Sequence, residues 1–241
     1  MQSGLYVGLS SQIALERRLT TIADNIANAN TVGFRQTGVK FEELLGGISR
    51  SSTSFVSDGE SYLSPLSGGI DSTGNNLDFA IQGDAWFGLE TPTGTVLTHD
   101  GRFKLTPEGE LTSLEGYPVL DPGGAPIQIN AAGGSPAVGR DGAMTQNGVQ
   151  VSAIGLFDYQ GASEFQRFGN SGVMVGSVPE PVLDRSDVGV LQGFVEQSNV
   201  NPLKELTSLI MVQRTFDNVA ALMRDSDSSL TEAIKALGSR S

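Results

Sequence analysis

Glycine and proline are almost confined to the middle of this 241-residue chain. Residues 46–190 hold 25 of the 31 glycines and nine of the ten prolines, whereas the two ends are nearly free of both. Because these residues interrupt helices and favour turns, the ends are predicted to be helical and the middle to be turn-rich β-structure. The predicted fold class is α+β, with a small, mainly antiparallel β domain between long amphipathic helices at both termini.

The formal charge of −12 is equally uneven. Residues 1–45 sum to zero and residues 191–241 to −1, so the remaining −11 belongs to residues 46–190. An acidic middle argues against nucleic-acid binding through phosphate contacts, and the neutral ends can pack closely without repulsion. We therefore predict four parts: an N-terminal helix and asparagine-rich turn (1–45), a Ser/Gly-rich linker that is extended and poorly packed (46–76), a β domain (77–190) and a C-terminal coiled-coil helix (191–241).

The N-terminal helix is predicted to end in a specialised turn. Its apolar residues form an imperfect stripe, followed by ADNIANANTVGFR. Asparagine tolerates left-handed backbone and bonds to nearby backbone groups, so this run predicts a tightly specified turn. An ordinary cap needs only one such residue, so we also expect side-chain amides used for recognition beside an exposed Phe34. The residues expected to set the turn and its local contacts are Asn25, Asn28, Asn30, Thr31, Gly33 and Phe34.

The C-terminal segment carries the most regular pattern. Asn201, Pro202 and Glu205 predict the start of a helix. Apolar residues then recur in alternating steps of three and four over about four heptads, broken only at Ser226, as is typical of a coiled-coil seam. The partner helix is either the N-terminal helix of the same chain or a helix of another subunit, and the sequence leaves this open. The seam residues expected to supply the apolar contact are Leu209, Val212, Phe216, Val219, Met223 and Leu230.

Short β-like runs alternate with turn signals in the middle of the chain. Strands are predicted at residues 77–81, 85–90, 96–98, 103–106, 111–112, 118–120, 126–129, 143–145, 149–159 and 172–175. Trp86 and Phe87 are adjacent, so one is expected to face the core and the other solvent or a partner. Positive φ is expected at the turn glycines, Gly83, Gly94, Gly101 and Gly109.

The sequence contains no recognisable catalytic, cofactor or metal motif. It has no cysteine, which excludes disulfides, thiol nucleophiles and cysteine metal sites. GxGxxG, Walker-type GK, GxSxG and DxDxDG patterns are also missing. His99, the single histidine, adjoins Asp100, but neighbours on a strand point to opposite faces. We expect His99 to precede a hairpin turn, and we expect no catalytic residue, cofactor or metal.

The chain shows neither of the two usual membrane-targeting patterns. No stretch approaches the roughly 20 consecutive apolar residues of a membrane helix. The first residues lack the basic start, long apolar run and small-residue cleavage site of a secretory signal. We therefore expect no cleaved signal peptide.

Three separate motifs resemble the flagellar basal-body rod and hook proteins. They are NIANANTVGFR, the central LDFAIQGDAWF with DGRF, EGEL and GYPVL after it, and LQGFVEQSNVNPLKELTSLIMVQRTFD. Their order and spacing are similar along nearly the whole chain. Length and the opening QIALERRLTTIADNIANANTVGFR are most similar to the proximal-rod member. The departures are Leu97–His99, where the family often has an aromatic residue and an arginine, and Pro202.

The resemblance implies a structural axial protein in the rod of the bacterial flagellar basal body, spanning the periplasm and transmitting torque for motility. It implies export through the flagellar type III apparatus without signal cleavage. It also implies an inner layer of terminal helices, an outer β domain, and partners that are other rod proteins and further copies of the chain. The asparagine turn then belongs to the segment that makes subunit contacts. No nucleic acid or small-molecule substrate is expected.

Three alternatives remain open at this point. The chain could be a distal-rod or hook-type axial protein, or a monomeric β-domain binding module clasped by its own helices. Self-association that depends on residues 191–241 would separate an assembly protein from the binding module. An acidic hydrolase with paired carboxylates is the third, and replacing His99 and nearby acids without functional loss would exclude it.

Overall fold

The computed structural model describes residues 2–41, 43–46, 53–56, 59–159, 165–174, 179–183 and 185–238. The chain divides into two compact units, one formed by Met1–Ala27, Gly38–Ser61 and Asn201–Ser241, the other by Asn28–Thr37 and Tyr62–Val200. Both ends of the chain thus build the first unit, and the middle builds most of the second. The α+β class with an antiparallel β domain in the middle is confirmed.

Two long helices dominate the first unit. Helix α1 spans Gln2–Ala27, helix α2 spans Pro202–Gly238, and the two pack against each other. The start of α2 is as predicted, because Asn201 Oδ1 accepts a hydrogen bond from the Lys204 N–H at 3.1 Å. Pro202 occupies the first helical position, where its missing N–H costs nothing.

Short strands follow α1 and enter the segment predicted as a linker. They are β1 (Thr37–Lys40), β2 (Glu43–Gly46), β3 (Thr53–Val56), β4 (Glu60–Leu63) and β5 (Ile70–Ser72). β1 pairs with β4, and β2 pairs with β3. In the described part of residues 46–76, the extended segments are held by strand pairing.

Antiparallel strands build the second unit. After β5 they are β6 (Phe79–Gln82), β7 (Trp86–Thr91), β8 (Gly94–Thr98), β9 (Phe103–Leu105), β10 (Leu111–Ser113), β11 (Ala137–Val138), β12 (Ala143–Gln146), β13 (Val149–Ala153), β14 (Leu156–Phe157), β15 (Gln166–Phe168), β16 (Gly172–Met174), β17 (Gly189–Gln192) and β18 (Phe194–Glu196). The largest sheet has the order β14-β7-β8-β16-β15, and a smaller one the order β11-β12-β13. The remaining pairs are β9 with β10, β6 with β17 and β5 with β18.

The five-stranded sheet is buried on both faces. Phe87 belongs to the main hydrophobic cluster with Leu89 and Val96, whereas Trp86 belongs to a second cluster with Leu97. Trp86 is 4% exposed and Phe87 0%. The expectation that one of this pair faces solvent or a partner is therefore wrong, because a sheet covered on both sides buries both members of an alternating pair.

Three of the four turn glycines have the predicted backbone. The φ angles of Gly83, Gly94 and Gly109 are 103°, 120° and 88°. Gly101 is not among the positive-φ residues, so the prediction is wrong there. Glycine is needed at this position for space, because a Cβ would overlap the carbonyl oxygen of Phe79.

Irregular pairing accounts for the other strand differences. The predicted run 149–159 breaks between β13 and β14, because Gly155 lies against the backbone of Leu120 and Asp121, with no room for a Cβ. Residues 118–120 and 126–129 form isolated bridges instead of strands. Within the second unit after β5, β11, β15, β17 and β18 were not predicted. β17 crosses the expected boundary at residue 191, and β18 follows it.

Candidate assembly surfaces

The predicted seam of α2 packs on α1 within the same chain. Val212 is 5% exposed. Leu209, Phe216, Val219 and Met223 are half-buried, and α1 approaches the Met223 side chain at Gly8. Leu230 lies in α2, but its side chain is outside the described residues. The two helices of one chain thus cover the seam in part, while its coiled-coil character stays a prediction.

Asn25 belongs to this helix pair instead of the turn. It is 1% exposed, and its Nδ2 donates a hydrogen bond to Oε2 of Glu205 at 3.4 Å. Glu205, on α2, is 6% exposed. A buried amide and carboxylate are tolerated because each bonds to the other. Asn25 therefore fixes α1 against α2 inside the first unit.

The two helices also expose large apolar side chains, here called the outer face. On α1, Leu9 and Ile13 are 45% and 50% exposed. On α2 the exposed fraction runs from 45% to 75% at Leu203, Leu206, Ile210, Met211 and Leu222. Sequence reasoning missed the outer face of α2 because it followed a single seam. The sequence nevertheless indicates this second apolar face, because the first half of α2 has more apolar residues than a single stripe with a 3.5-residue repeat can contain.

Residues 28–34 form the predicted tight turn at the start of the second unit. The Thr31 N–H donates to the carbonyl oxygen of Asn28 at 3.0 Å, and Thr31 Oγ1 donates to Asn28 Oδ1 at 3.1 Å. The Phe34 N–H donates to the carbonyl oxygen of Thr31 at 3.2 Å. Asn30 is exposed. Asn28 and Thr31 therefore shape the backbone, and Asn30 presents its amide to the surface.

Gly33 fixes the turn to the β domain. Its φ is 69°, and its N–H donates to the carbonyl oxygen of Glu196 at 2.8 Å. A Cβ would overlap the backbone of His99 and Asp100. Both the left-handed conformation and the lack of space therefore demand glycine.

Phe34 is 3% exposed, so the expectation of an exposed Phe34 is wrong. The guanidinium carbon of Arg167 lies 4.4 Å from its ring centroid, a cation–π contact. Arg167 also donates hydrogen bonds to the carbonyl oxygen of Arg35 and to Oγ1 of Thr37. The residue that covers the ring comes from far along the chain, and no local pattern could indicate it.

A buried ionic cluster lies next to the turn. Its members are Arg35, His99 and Glu196, here called the ionic clasp. Arg35 Nη2 lies 3.1 Å from Glu196 Oε1, and His99 Nδ1 lies 2.8 Å from Glu196 Oε2, with all three side chains at most 5% exposed. The Gly68 N–H donates to Glu196 Oε1 at 2.8 Å. The ring of Trp86 meets the His99 ring edge-on, with centroids 4.1 Å apart.

Burial sets the protonation states of the ionic clasp. It lowers the pKa of His99 below the ordinary 6.5, and the positive charge of Arg35 adds to this, against the opposing hydrogen bond to Glu196. Burial alone would raise the pKa of Glu196, but the His99 hydrogen bond and the Arg35 charge lower it overall. Neutral His99 therefore donates its Nδ1–H to an ionised Glu196, which Arg35 balances.

His99 lies just after β8 and before Asp100 and Gly101, but the expected hairpin turn is not formed there, because β8 pairs with β7 and β16 whereas β9 pairs with β10. Its two partners were missed, because the members of the clasp lie 64 to 161 residues apart. Among the described residues, no group of three or more His, Cys, Asp or Glu side chains is arranged to hold a metal ion. Within the same described ranges, no helix has the length and apolar character needed to cross a membrane.

Three family models match successive parts of the chain. The model described as flagella basal body rod protein matches residues 5–35, the flagellar hook protein FlgE/F/G D1 domain matches residues 80–146, and the flagellar basal body rod FlgEFG protein C-terminal model matches residues 191–236. The chain is 60% identical to the basal-body rod protein FlgF of Mesorhizobium japonicum over the full length of both. It is 59% identical to FlgF of Rhizobium meliloti over 99% of each chain. To FlgG of Bacillus subtilis it is 32% identical, over 97% of this chain and 98% of the other.

Proposed function

This chain belongs to the flagellar basal-body rod protein family, and from that premise we propose that its terminal helices carry the contacts that build the rod. The chain is a structural subunit of the rod and not an enzyme. Its identity to the FlgF proteins, 59–60%, against 32% to FlgG, favours the proximal over the distal rod. Its partners are other axial subunits of the flagellum.

The observation that carries the proposal is the outer face of the helix pair. Seven large apolar side chains of α1 and α2 are 45–75% exposed there, although apolar side chains gain about 1.5–3 kcal/mol on full burial. Exposed apolar patches of this kind mark interaction surfaces. We infer that neighbouring subunits cover the outer face, in heterologous contacts that build a helical array instead of a closed dimer.

The predicted site residues take three roles under this proposal. Asn30 contacts a neighbouring subunit, together with the outer face, which the sequence did not predict. The seam holds α1 and α2 together, so that each chain presents one rigid helix pair, and Asn28, Thr31 and Gly33 set the turn. Self-assembly through coiled-coil contacts between chains, including contacts at Leu230, is the part of this proposal that rests on sequence pattern.

Ile210→Asp tests the proposal on the outer face. Ile210 is 52% exposed, so aspartate there leaves the fold intact but places a charge in the contact between subunits. We expect loss of swimming in soft agar when this variant replaces the native gene. Leu66→Asp makes the same apolar-to-aspartate change at a 71% exposed position outside the two helices and should swim normally. Equal motility of the two strains would contradict the proposal.

We further propose export through the flagellar type III apparatus without signal cleavage, on the basis of family membership. The intact mass of the subunit from purified basal bodies tests this, and a mass lacking an N-terminal segment would contradict it.

We expect neither nucleic acid nor a small-molecule substrate as a partner, given 27 acidic against 15 basic residues. Deletion of the gene should stop motility and leave no hooks, whereas a monomeric binding module would leave flagella intact.

A further inference from the structure

One part of the acidic β domain is electrically neutral. Residues 122–157, here called the neutral lobe, contain only two charged residues, Arg140 and Asp141, which cancel. The whole chain carries −12, and copies with that net charge repel one another. The neutral lobe is therefore the part of the domain at which two copies can approach with least electrostatic cost.

A hairpin projects from this lobe. β12 and β13 are joined by Asn147 and Gly148, whose φ angles of 52° and 76° fit a tight hairpin turn. Val149 and Val151, at the start of β13, are 65% and 41% exposed. They are two residues apart on a strand, so they share one face. Residues 147–151, here called the hairpin tip, thus end in an apolar, uncharged surface.

β13 also lacks the usual protection of an edge strand. It is the outer strand of the sheet β11-β12-β13. Proteins commonly guard such edges with charged residues or proline against pairing with other chains. Residues 142–157 contain neither. An unguarded edge with exposed valines is typical of a surface that is covered in an assembly.

A groove lies at the opposite end of the same hairpin. Its volume is about 520 Å³. The lining includes buried Ile154, Leu156 and Val188, the 64% exposed Leu183, and two arginines, Arg140 and Arg185. With a rise of about 3.3 Å per residue, β13 separates the hairpin tip from the groove by roughly 17 Å. The two surfaces are therefore distinct.

We propose that the hairpin tip of one copy of this chain docks in the groove of the next copy. Val149 and Val151 would meet Leu183 and the apolar lining of the groove. Arg140 already donates to Gln82 and Arg185 to Asp187, and the remaining N–H groups of these arginines would donate to the carbonyl oxygens of the incoming turn. Because tip and groove are different surfaces, the contact is head-to-tail and can continue from one copy to the next, unlike the contact of a two-fold dimer. This inference rests on the proposed function in one respect, namely that copies of the chain meet in the rod.

The native chain has no cysteine, which allows a direct test by cross-linking. The purified full-length double variant Val149→Cys with Leu183→Cys should form a ladder of disulfide-linked oligomers under mild oxidation. Each single variant can form a dimer at most. Adding Val151→Asp to the double variant should reduce the species above dimer at least tenfold, whereas Leu66→Asp, at a 71% exposed position outside the lobe, should leave the ladder unchanged.

Absence of a ladder at any protein concentration would overturn the docking contact. So would a ladder that Val151→Asp and Leu66→Asp reduce equally, since the cross-links would then arise from random collision. The readout is taken on purified protein and is separate from motility. Loss of motility on gene deletion without a ladder would therefore reject the docking contact alone and leave the proposed function standing.

Discussion

Gly33 is constrained twice, by its left-handed backbone and by the backbone that surrounds it. Gly33→Ala should lower the free energy of unfolding by about 2–4 kcal/mol, because about 1 kcal/mol of conformational strain adds to about 1–3 kcal/mol of steric displacement. Gly74 has a φ of 71° against 69° at Gly33, but nothing within 4 Å of its missing Cβ. Gly74→Ala should therefore cost only the conformational part. Urea unfolding of both variants measures the difference, and equal losses would contradict a role for space at Gly33.

His99 makes the stability of the second unit depend on pH. Its pKa is lowered in the folded state, so the unfolded chain binds the proton more readily, and stability is lost as pH falls below the ordinary pKa of 6.5. The loss approaches about 1.4 kcal/mol per pH unit. The surrounding charges are Glu196, Arg35 and Asp84. The lowered pKa of Glu196 adds a further loss only below its ordinary 4.5.

His99→Asn isolates this effect. An asparagine amide can replace the Nδ1–H donor to Glu196 but does not titrate, and the chain has no other histidine. As the pH is lowered from 7.5 to 5, the free energy of urea unfolding should fall for the native chain and stay nearly constant for the variant. A native chain whose stability does not change over this range would disprove the neutral state of His99.

Single residues were predictable where their role is local. The turn at residues 28–34 followed from asparagine chemistry, and the positive φ of Gly83, Gly94 and Gly109 followed from their turn signals. The burial of Phe34 and the ionic clasp were not predictable, because Arg167 and Glu196 reach these residues from distant parts of the chain. Nothing in a local window encodes such a pairing.

At the scale of elements, neighbouring residues of α2 separate two kinds of contact. Val212 is 5% exposed and Met211 65%. Val212→Asp buries a carboxylate between the helices and should lower helix-pair stability by about 3 kcal/mol or more. Met211→Asp should change it by less than about 0.5 kcal/mol but impair swimming. Thermal unfolding followed by far-UV circular dichroism measures the first effect. If Met211→Asp unfolds the pair as strongly, the distinction between seam and outer face is wrong.

Elements with a strong period were predictable, and those defined by distant partners were not. The two helices and the start of α2 followed from apolar spacing and capping. β17 and β18 were missed because they lie in the short segment just before α2, which was assigned to the C-terminal helix region. They are strands because they pair with β6 and β5. Trp86 and Phe87 are a second example of an effect of distant partners. The alternation of side chains on a strand predicted that only one face of the sheet is buried, whereas tertiary packing buries both faces.

For the whole molecule, the net charge predicts how association responds to salt. Copies that each carry −12 repel, and salt screens this repulsion with a Debye length of about 10 Å at 0.1 M and about 3 Å at 1 M. Self-association of the full-length chain should therefore strengthen as sodium chloride rises from about 0.02 to about 0.5 M. Contacts held by ion pairs would instead weaken over this range. Sedimentation velocity at several protein concentrations measures it. Weaker association in high salt would point to ion pairs between subunits as the main contact.

The last two strands of the second unit, β17 and β18, pair with strands from its beginning. The second unit can therefore complete its folding only when these strands are present. Val190 pairs with Ile81, Val195 with Asp71, and Glu196 holds Gly33, Arg35 and His99. Contacts between such distant positions form late, because the chain between them must first be closed into a loop. A chain that emerges from the ribosome with its N-terminus first therefore has to wait for residue 196 before this unit is complete. Complete folding of the second unit is therefore one of the last steps available to the nascent chain, whatever local structure forms earlier.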